Sequence, residues 1–253
     1  MDPTEPAERP RSRAIYLLPN LFTTGCLFSG FYAIVAAIDG NYERAGFAVF
    51  AAMLFDTLDG RVARMTRTES AFGKEYDSLA DMVSFGAAPA LIVYEWALKG
   101  MGNLGWIAAF VYVAGAALRL ARFNVMLDVA DKRWFTGIPS PAAAALVAGF
   151  VWIIDYFSID PVSIRWWAWA VTLFAGLTMV SNVPYYSFKT INLKRTVPFL
   201  AIFAFVLVIA LVWYQPEIVL FAGFVGYALS GYVAAAWMWY ARRRRRAQAV
   251  PPA

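Results

Sequence analysis

Histidine is missing from all 253 residues, and cysteine occurs once, at Cys26. Without histidine there is no imidazole nucleophile, general base or metal ligand. A single cysteine rules out an internal disulfide and a cysteine metal cluster. Charge is sparse as well: 15% of the chain is Asp, Glu, Lys or Arg, against about 25% in soluble domains. Acid–base or metal chemistry therefore falls to carboxylates, lysines, tyrosines or water. What abounds is apolar, with 61% hydrophobic and 17% aromatic residues. Soluble folds hold about 45–50% apolar residues, so the expectation is an all-α, polytopic membrane bundle. Residues 1–16, "MDPTEPAERPRSRAIY", are polar and read as a short cytosolic tail. They lack the charged, apolar, small-residue order of a cleaved signal peptide.

A spanning helix takes about 20 mostly apolar residues. Eight segments qualify, with approximate limits 20–38, 45–66, 74–98, 105–125, 139–157, 166–185, 196–216 and 218–240. Short connections such as "DGNYE", "KGMGN" and "YQPE" separate them. An even number of spans puts both termini on one side. On that side fall 19 of the 22 basic residues, leaving Arg44, Lys99 and Arg165 on the other. Basic residues collect on the cytoplasmic side, so both termini face the cytoplasm. The closing run Arg242 to Arg246, within a basic tail 241–253, reads as an anchor at anionic lipid. No folded basic module accompanies it, so nucleic acid is not an expected partner.

One connection does not fit a plain bundle. "DTLDGRVARMTRTESAFGKEYDSLAD" places Asp56, Asp59, Asp77 and Asp81 at the ends of two apolar segments. An aspartate at the centre of a membrane helix costs roughly 2.5–3.5 kcal/mol on insertion scales. The spacings of three and four put each pair on one helix face. Gly60 and Ala63 continue the first face, and Gly73, Ser84 and Ala88 the second. Small residues let the two backbones approach, and the short linker makes the helices antiparallel neighbours. Four converging carboxylates repel one another unless cations neutralise them. An oxygen-only set suits Mg²⁺ or Mn²⁺, and two such ions would match the four charges and clamp a phosphate. Arg64, on the shoulder of the same face, suits a phosphate oxygen. Two other readings remain open here: surface ion pairs with Arg61, Arg64, Arg67 and Lys74, or a carboxylate cation pathway in a transporter.

The spacing Asp56-x2-Asp59-Gly60-x2-Ala63-Arg64-x8-Gly73-x3-Asp77-x3-Asp81 also resembles the signature of the CDP-alcohol phosphotransferases at every fixed position. The resemblance implies attack of an alcohol on the lipid-side phosphate of a CDP-activated lipid, with CMP leaving. It assigns metal roles to Asp56, Asp59, Asp77 and Asp81, and makes Asp81 the base. Gly60, Ala63, Arg64, Ser70 and Gly73 would line the nucleotide site, joined by Asn20 and Thr23 of "LPNLFTTG". The stretches "LPNLFTTGCLFSGFYAI", "DMVSFGAAPA", "ALRLARFN", "FTGIPSPAAA" and "PYYSFK" are similar to the phosphatidylserine synthase branch. That branch implies CDP-diacylglycerol and L-serine as substrates, with glycerol phosphate or inositol phosphate as sibling acceptors. It also implies a multi-pass protein of a prokaryotic cytoplasmic membrane, surrounded by membrane lipids and often a homodimer. The expected catalytic domain is 17–190, followed by two further spans in 191–240.

A serine acceptor brings a carboxylate into a partly dry site, where an unpaired charge is expensive. Arg119 and Arg122 share a helix face at the cytoplasmic end of the fourth segment, and Lys189 follows the sixth on the same side. These three are the candidate serine contacts, unless they serve as interface anchors at helix C-termini.

Overall fold

The computed structural model describes residues 13–66, 68, 70–126, 134–186 and 199–248. The predicted contact Lys189 lies outside them. Helix α1 (Arg13–Ile38) turns at Gly40, with φ +74°, into α2 (Tyr42–Thr66). Asn41 caps α2, its Oδ1 accepting from the Arg44 N–H at 3.1 Å. The third rod starts as α3 (Ala71–Asp81) and widens into a π-helical turn (Met82–Ala87). It then runs through α4 (Ala88–Val93), a second π-helical turn (Tyr94–Leu98) and a 3₁₀ turn (Lys99–Met101). There follow α5 (Asn103–Met126), β1 (Trp134–Thr136), α6 (Ser140–Tyr156), α7 (Pro161–Val180), β2 (Pro184–Tyr186), α8 (Phe199–Tyr214) and α9 (Pro216–Gln248).

Each of the eight apolar segments contains helix, and among the described residues the structure is all-α apart from one two-stranded antiparallel sheet. Helix α6 is its hub. Every residue from Ala142 to Trp152 is buried, packed against α2, α4, α7 and α9. A run of alanines there lets neighbouring backbones come close, which is how helices pack where lipid removes the hydrophobic drive. By length and composition, Leu18–Ile38, Asn103–Val125 and Pro216–Ala241 can each cross a membrane. Ser140–Tyr156 and Ile202–Tyr214 are shorter apolar helices.

The structure departs from the expected organisation at several points, α7 for one ending at Val180 rather than 185. Helix α1 already runs through residues 13–16 and carries Pro19 in its interior, although proline is usually found in the first turn. The rod expected over 74–98 is interrupted by two π-helical turns. The basic run expected as a tail continues α9 to Gln248, because arginine is a good helix former and no glycine or proline intervenes before Pro251. Finally, β1 and β2 pair antiparallel, Trp134 opposite Tyr186 and Phe135 opposite Tyr185. The start of "FTGIPSPAAA" thus meets the Pro184–Tyr186 part of "PYYSFK", across two connections between helices.

Candidate active site

The site forms where the C-terminal end of α2, the start of the third rod and the N-terminal part of α1 come together. Carboxylate oxygens of Asp56, Asp59 and Asp77 all lie within 4.8 Å of one another. Asp59 is only 5% exposed, and the Thr23 hydroxyl of α1 donates to its Oδ2 at 2.8 Å. Asp81 stands one turn beyond Asp77. Its Oδ1 is buried and has no hydrogen-bond partner. It interacts electrostatically with Asp56, Asp77 and Asp59, and with Arg119 of α5. Carboxylates this close repel one another, and added positive charge would stabilise the group. A set of carboxylate oxygens this close fits a hard divalent cation, and at its margin the Oδ1 of Asp81 is a buried acceptor without a partner.

The expected nucleotide residues converge on the same place. Ser70 caps α3, its Oγ accepting from the Gly73 N–H at 3.0 Å. A methyl group added at Gly73 would stand 3.1 Å from Ser70 Oγ and 3.4 Å from Asn20 Oδ1. Asn20 of α1 and the start of α3 therefore meet at Gly73. On α2, Gly60 leaves open space whose nearest neighbour is Arg64 Nη2, 3.9 Å from an added methyl. The Arg64 Nε donates to the Gly60 carbonyl at 2.7 Å, so its exposed guanidinium lies folded back over that opening. Ala63, half-buried on the same face, accepts through its carbonyl from the Thr68 N–H at 3.0 Å and closes the end of α2.

The two arginines of α5 have different surroundings. Arg119 is 9% exposed, donates from Nη1 to Ser140 Oγ at 3.1 Å, and has a buried Nε without a partner. Arg122 is turned to the end of α7. Its Nη1 donates to the Val180 carbonyl at 3.2 Å and its Nη2 to Asn182 Oδ1 at 2.6 Å. Arg119, resting on Ser140, lies within electrostatic range of Asp81.

Sequence reasoning missed the parts that hold Asp81. Pro89 has no N–H, so the Phe85 carbonyl one turn earlier lacks its α-helical donor. The chain responds with the π-helical turn, in which the Ala88 N–H reaches back five residues to Val83. The Tyr112 hydroxyl of α5 donates to the Phe85 carbonyl at 2.9 Å. Ser84 binds the Cys26 carbonyl of α1 at 3.0 Å, and α1 comes so near that a methyl at Gly30 would collide with Ser84. Asn124 Nδ2 donates to Ser78 Oγ at 3.0 Å, tying α5 to α3 beside Asp77. Pro89 is the one visible signal of this arrangement, because a proline inside a helix must leave a carbonyl for another donor.

Residues 16–180 match the family model described as CDP-alcohol phosphatidyltransferase. The chain is 40% identical over 182 residues to a CDP-diacylglycerol–serine O-phosphatidyltransferase of Helicobacter pylori, covering 71% of this chain and 77% of that protein. A protein of the same name from Mycobacterium leprae is 34% identical over 226 residues, 81% of this chain and 73% of its own length. One from Methanocaldococcus jannaschii is 38% identical over 137 residues, 54% of this chain and 61% of its own. The matched span contains every aspartate of the cluster, and the chain belongs to the CDP-alcohol phosphatidyltransferase family of membrane enzymes.

Proposed function

We propose that the chain transfers the phosphatidyl group of CDP-diacylglycerol to the hydroxyl of L-serine, giving phosphatidylserine and CMP. The observation that carries this reading is one constellation: three carboxylates within 4.8 Å of one another, beside an orphaned Asp81 oxygen and the buried Arg119. The names of the similar proteins support serine as the acceptor.

Asp56, Asp59, Asp77 and Asp81 would hold two divalent cations, Mg²⁺ or Mn²⁺, which when bound supply positive charge to the diphosphate. The Thr23 hydroxyl fixes the Asp59 carboxylate by its hydrogen bond to Oδ2. Asn20, Thr23, Gly60, Ala63, Ser70 and Gly73 form the nucleotide side, where small residues admit the cytidine phosphates. Arg64 exchanges the Gly60 carbonyl for phosphate oxygens, a stronger, charge-assisted pairing. Arg119 takes the serine carboxylate, and Arg122 holds the end of α7 in place. Asp81 accepts the hydroxyl proton on Oδ1 as the serine oxygen bonds to the lipid-side phosphorus. The bond from that phosphorus to the CMP oxygen breaks, and CMP leaves with the electron pair. With no histidine in the chain, a phosphatidyl-histidine intermediate has no residue to form on, and a single displacement is the direct route.

In this reading residues 17–190 form the catalytic domain and 191–240 two additional spans. All eight rods cross the cytoplasmic membrane, with both termini and the aspartates on the cytoplasmic side. The tail 241–253 rests on anionic lipid, and the enzyme works as a homodimer. Arg67→Cys and Arg246→Cys should be labelled from the cytoplasmic side alone, and Asn103→Cys from outside alone. Labelling of positions 67 and 246 from opposite faces would contradict the arrangement. Chemical cross-linking in native membranes should trap two copies, and a monomer at every cross-linker length would remove the dimer.

The acceptor is tested with purified protein, CDP-diacylglycerol and Mg²⁺ or Mn²⁺. Serine, glycerol phosphate and inositol phosphate are supplied separately and CMP release is followed. Serine should drive release at least ~10-fold faster than either sibling, about 1.4 kcal/mol of discrimination. Equal or faster release with a sibling acceptor would replace serine.

A further inference from the structure

The family match ends at residue 180, and helix α9 beyond it is tied back to the matched part of the chain. Arg119 carries the sign of an unmet ligand, being nine-tenths buried with its Nε unpartnered. Its Nη1 rests on Ser140, the first residue of α6. Four residues before Ser140, β1 ends at Thr136, and β1 is paired with β2. Helix α9 is fastened onto β2. The fully buried Tyr185 donates its hydroxyl to the Ala228 carbonyl at 2.9 Å. A methyl group at Gly231 would collide with the Tyr185 ring, so the helix can lie this close only with glycine there. Farther along, the Tyr232 and Thr178 hydroxyls are 2.7 Å apart.

This clamp fixes where Tyr227 stands. Its hydroxyl donates to the Tyr186 carbonyl at 3.3 Å, and its ring packs on Tyr185 with centroids 5.5 Å apart. It is half-buried, and it lies within electrostatic range of the Arg119 guanidinium, as Asp81 does. Arg119 thus hydrogen-bonds a serine of α6 and has an acid of α3 and a phenol of α9 within electrostatic range.

We propose that α9 is part of the active-site wall and that Tyr227 helps select a small amino-acid acceptor seated at Arg119. Arg119 pairs with the carboxylate of that acceptor. The phenol ring and oxygen of Tyr227 face its ammonium, since a tyrosine oxygen accepts hydrogen bonds and its ring attracts cations. The inference rests on the assignment of Arg119 to the acceptor carboxylate, and it adds a residue from outside the matched region.

Tyr227→Phe keeps the ring packing on Tyr185 and removes only the hydroxyl, while Tyr227→Leu removes both polar handles. Both are made in the full-length enzyme and compared with Arg119→Lys. Tyr227→Leu should raise the serine KM about tenfold and Tyr227→Phe by a smaller factor, with kcat and the CDP-diacylglycerol KM within about twofold. The wild-type preference for serine over 3-hydroxypropionate, which lacks the ammonium, should shrink in both. A merely structural role would move kcat or the lipid KM and leave that preference alone. Unchanged serine KM in Tyr227→Phe and Tyr227→Leu, with a raised KM in Arg119→Lys, overturns the role of α9 and leaves the pocket standing. Unchanged serine KM in all three overturns the assignment of Arg119 itself. Loss of CDP-diacylglycerol binding in Tyr227→Leu, with an unaltered serine KM in Tyr227→Phe, marks Tyr227 as packing and also overturns the proposal.

Discussion

Two helical hairpins of this chain could hardly differ more: α2 with α3, and α8 with α9. The first brings Asp56, Asp59 and Asp77 within 4.8 Å of one another and is lined by glycine, alanine and serine. The second is almost wholly apolar up to its closing arginine run, and α8 leaves Phe199, Phe203, Phe205 and Trp213 exposed. In an apolar surrounding each aspartate must be compensated, so four of them in one hairpin announce chemistry. Apolar side chains facing lipid cost nothing and announce nothing. The contrast teaches that in a mostly apolar chain clustered acids mark a candidate site, whereas an apolar helix carries no mark of its own.

The largest effect expected from breaking the first hairpin is at its carboxylates. Asp56→Asn or Asp77→Asn should slow CMP release by at least ~100-fold, because several kcal/mol of charge stabilisation are removed. A rate near wild type in either variant would make the cluster structural. Next comes Asp81→Asn, which should lose ~100-fold or more in turnover while still binding CDP-diacylglycerol, since proton transfer is worth that much. Failure to bind the nucleotide would make Asp81 chiefly a ligand of the cations.

A smaller effect is expected behind the site. Tyr112→Phe fills the same space but deprives the Phe85 carbonyl of its donor, a loss of about 1–3 kcal/mol for a buried group. Thermal unfolding in detergent should shift down, and an unchanged midpoint would show that another donor replaces the hydroxyl. The smallest effect belongs to the second hairpin. Phe205 is 65% exposed, and Phe205→Ala should leave turnover within about twofold, as substitutions away from packed or polar features usually do. A large loss there would give α8 a role beyond contact with lipid.

The aspartates were legible because their spacing and helical geometry are the same fact: residues three and four apart share a face. The eight rods were legible from apolar length alone. What hid was everything decided by contacts distant in sequence. Nothing local in Trp134–Thr136 or Pro184–Tyr186 shows that these short segments pair, for each is too brief to alternate. Arg119 and Arg122 look equivalent at a spacing of three, and only the packing of α6 and α7 assigns one to Ser140 and the other to Val180 and Asn182. Pro89 was readable as a helix irregularity, but its answering donor, Tyr112, lies on another helix. Helix α9 gave no signal because its attachment to β2 runs through Tyr185 and Gly231, an aromatic and a glycine among many.

The central claim is that the α2–α3 carboxylates work by holding divalent cations during phosphatidyl transfer. Its most direct test is CMP release by the purified enzyme with CDP-diacylglycerol and serine, titrated with EDTA and then with excess Mn²⁺ or Mg²⁺. The account predicts that release stops when the chelator exceeds the metal and returns when either cation is restored. Full activity in EDTA would contradict it.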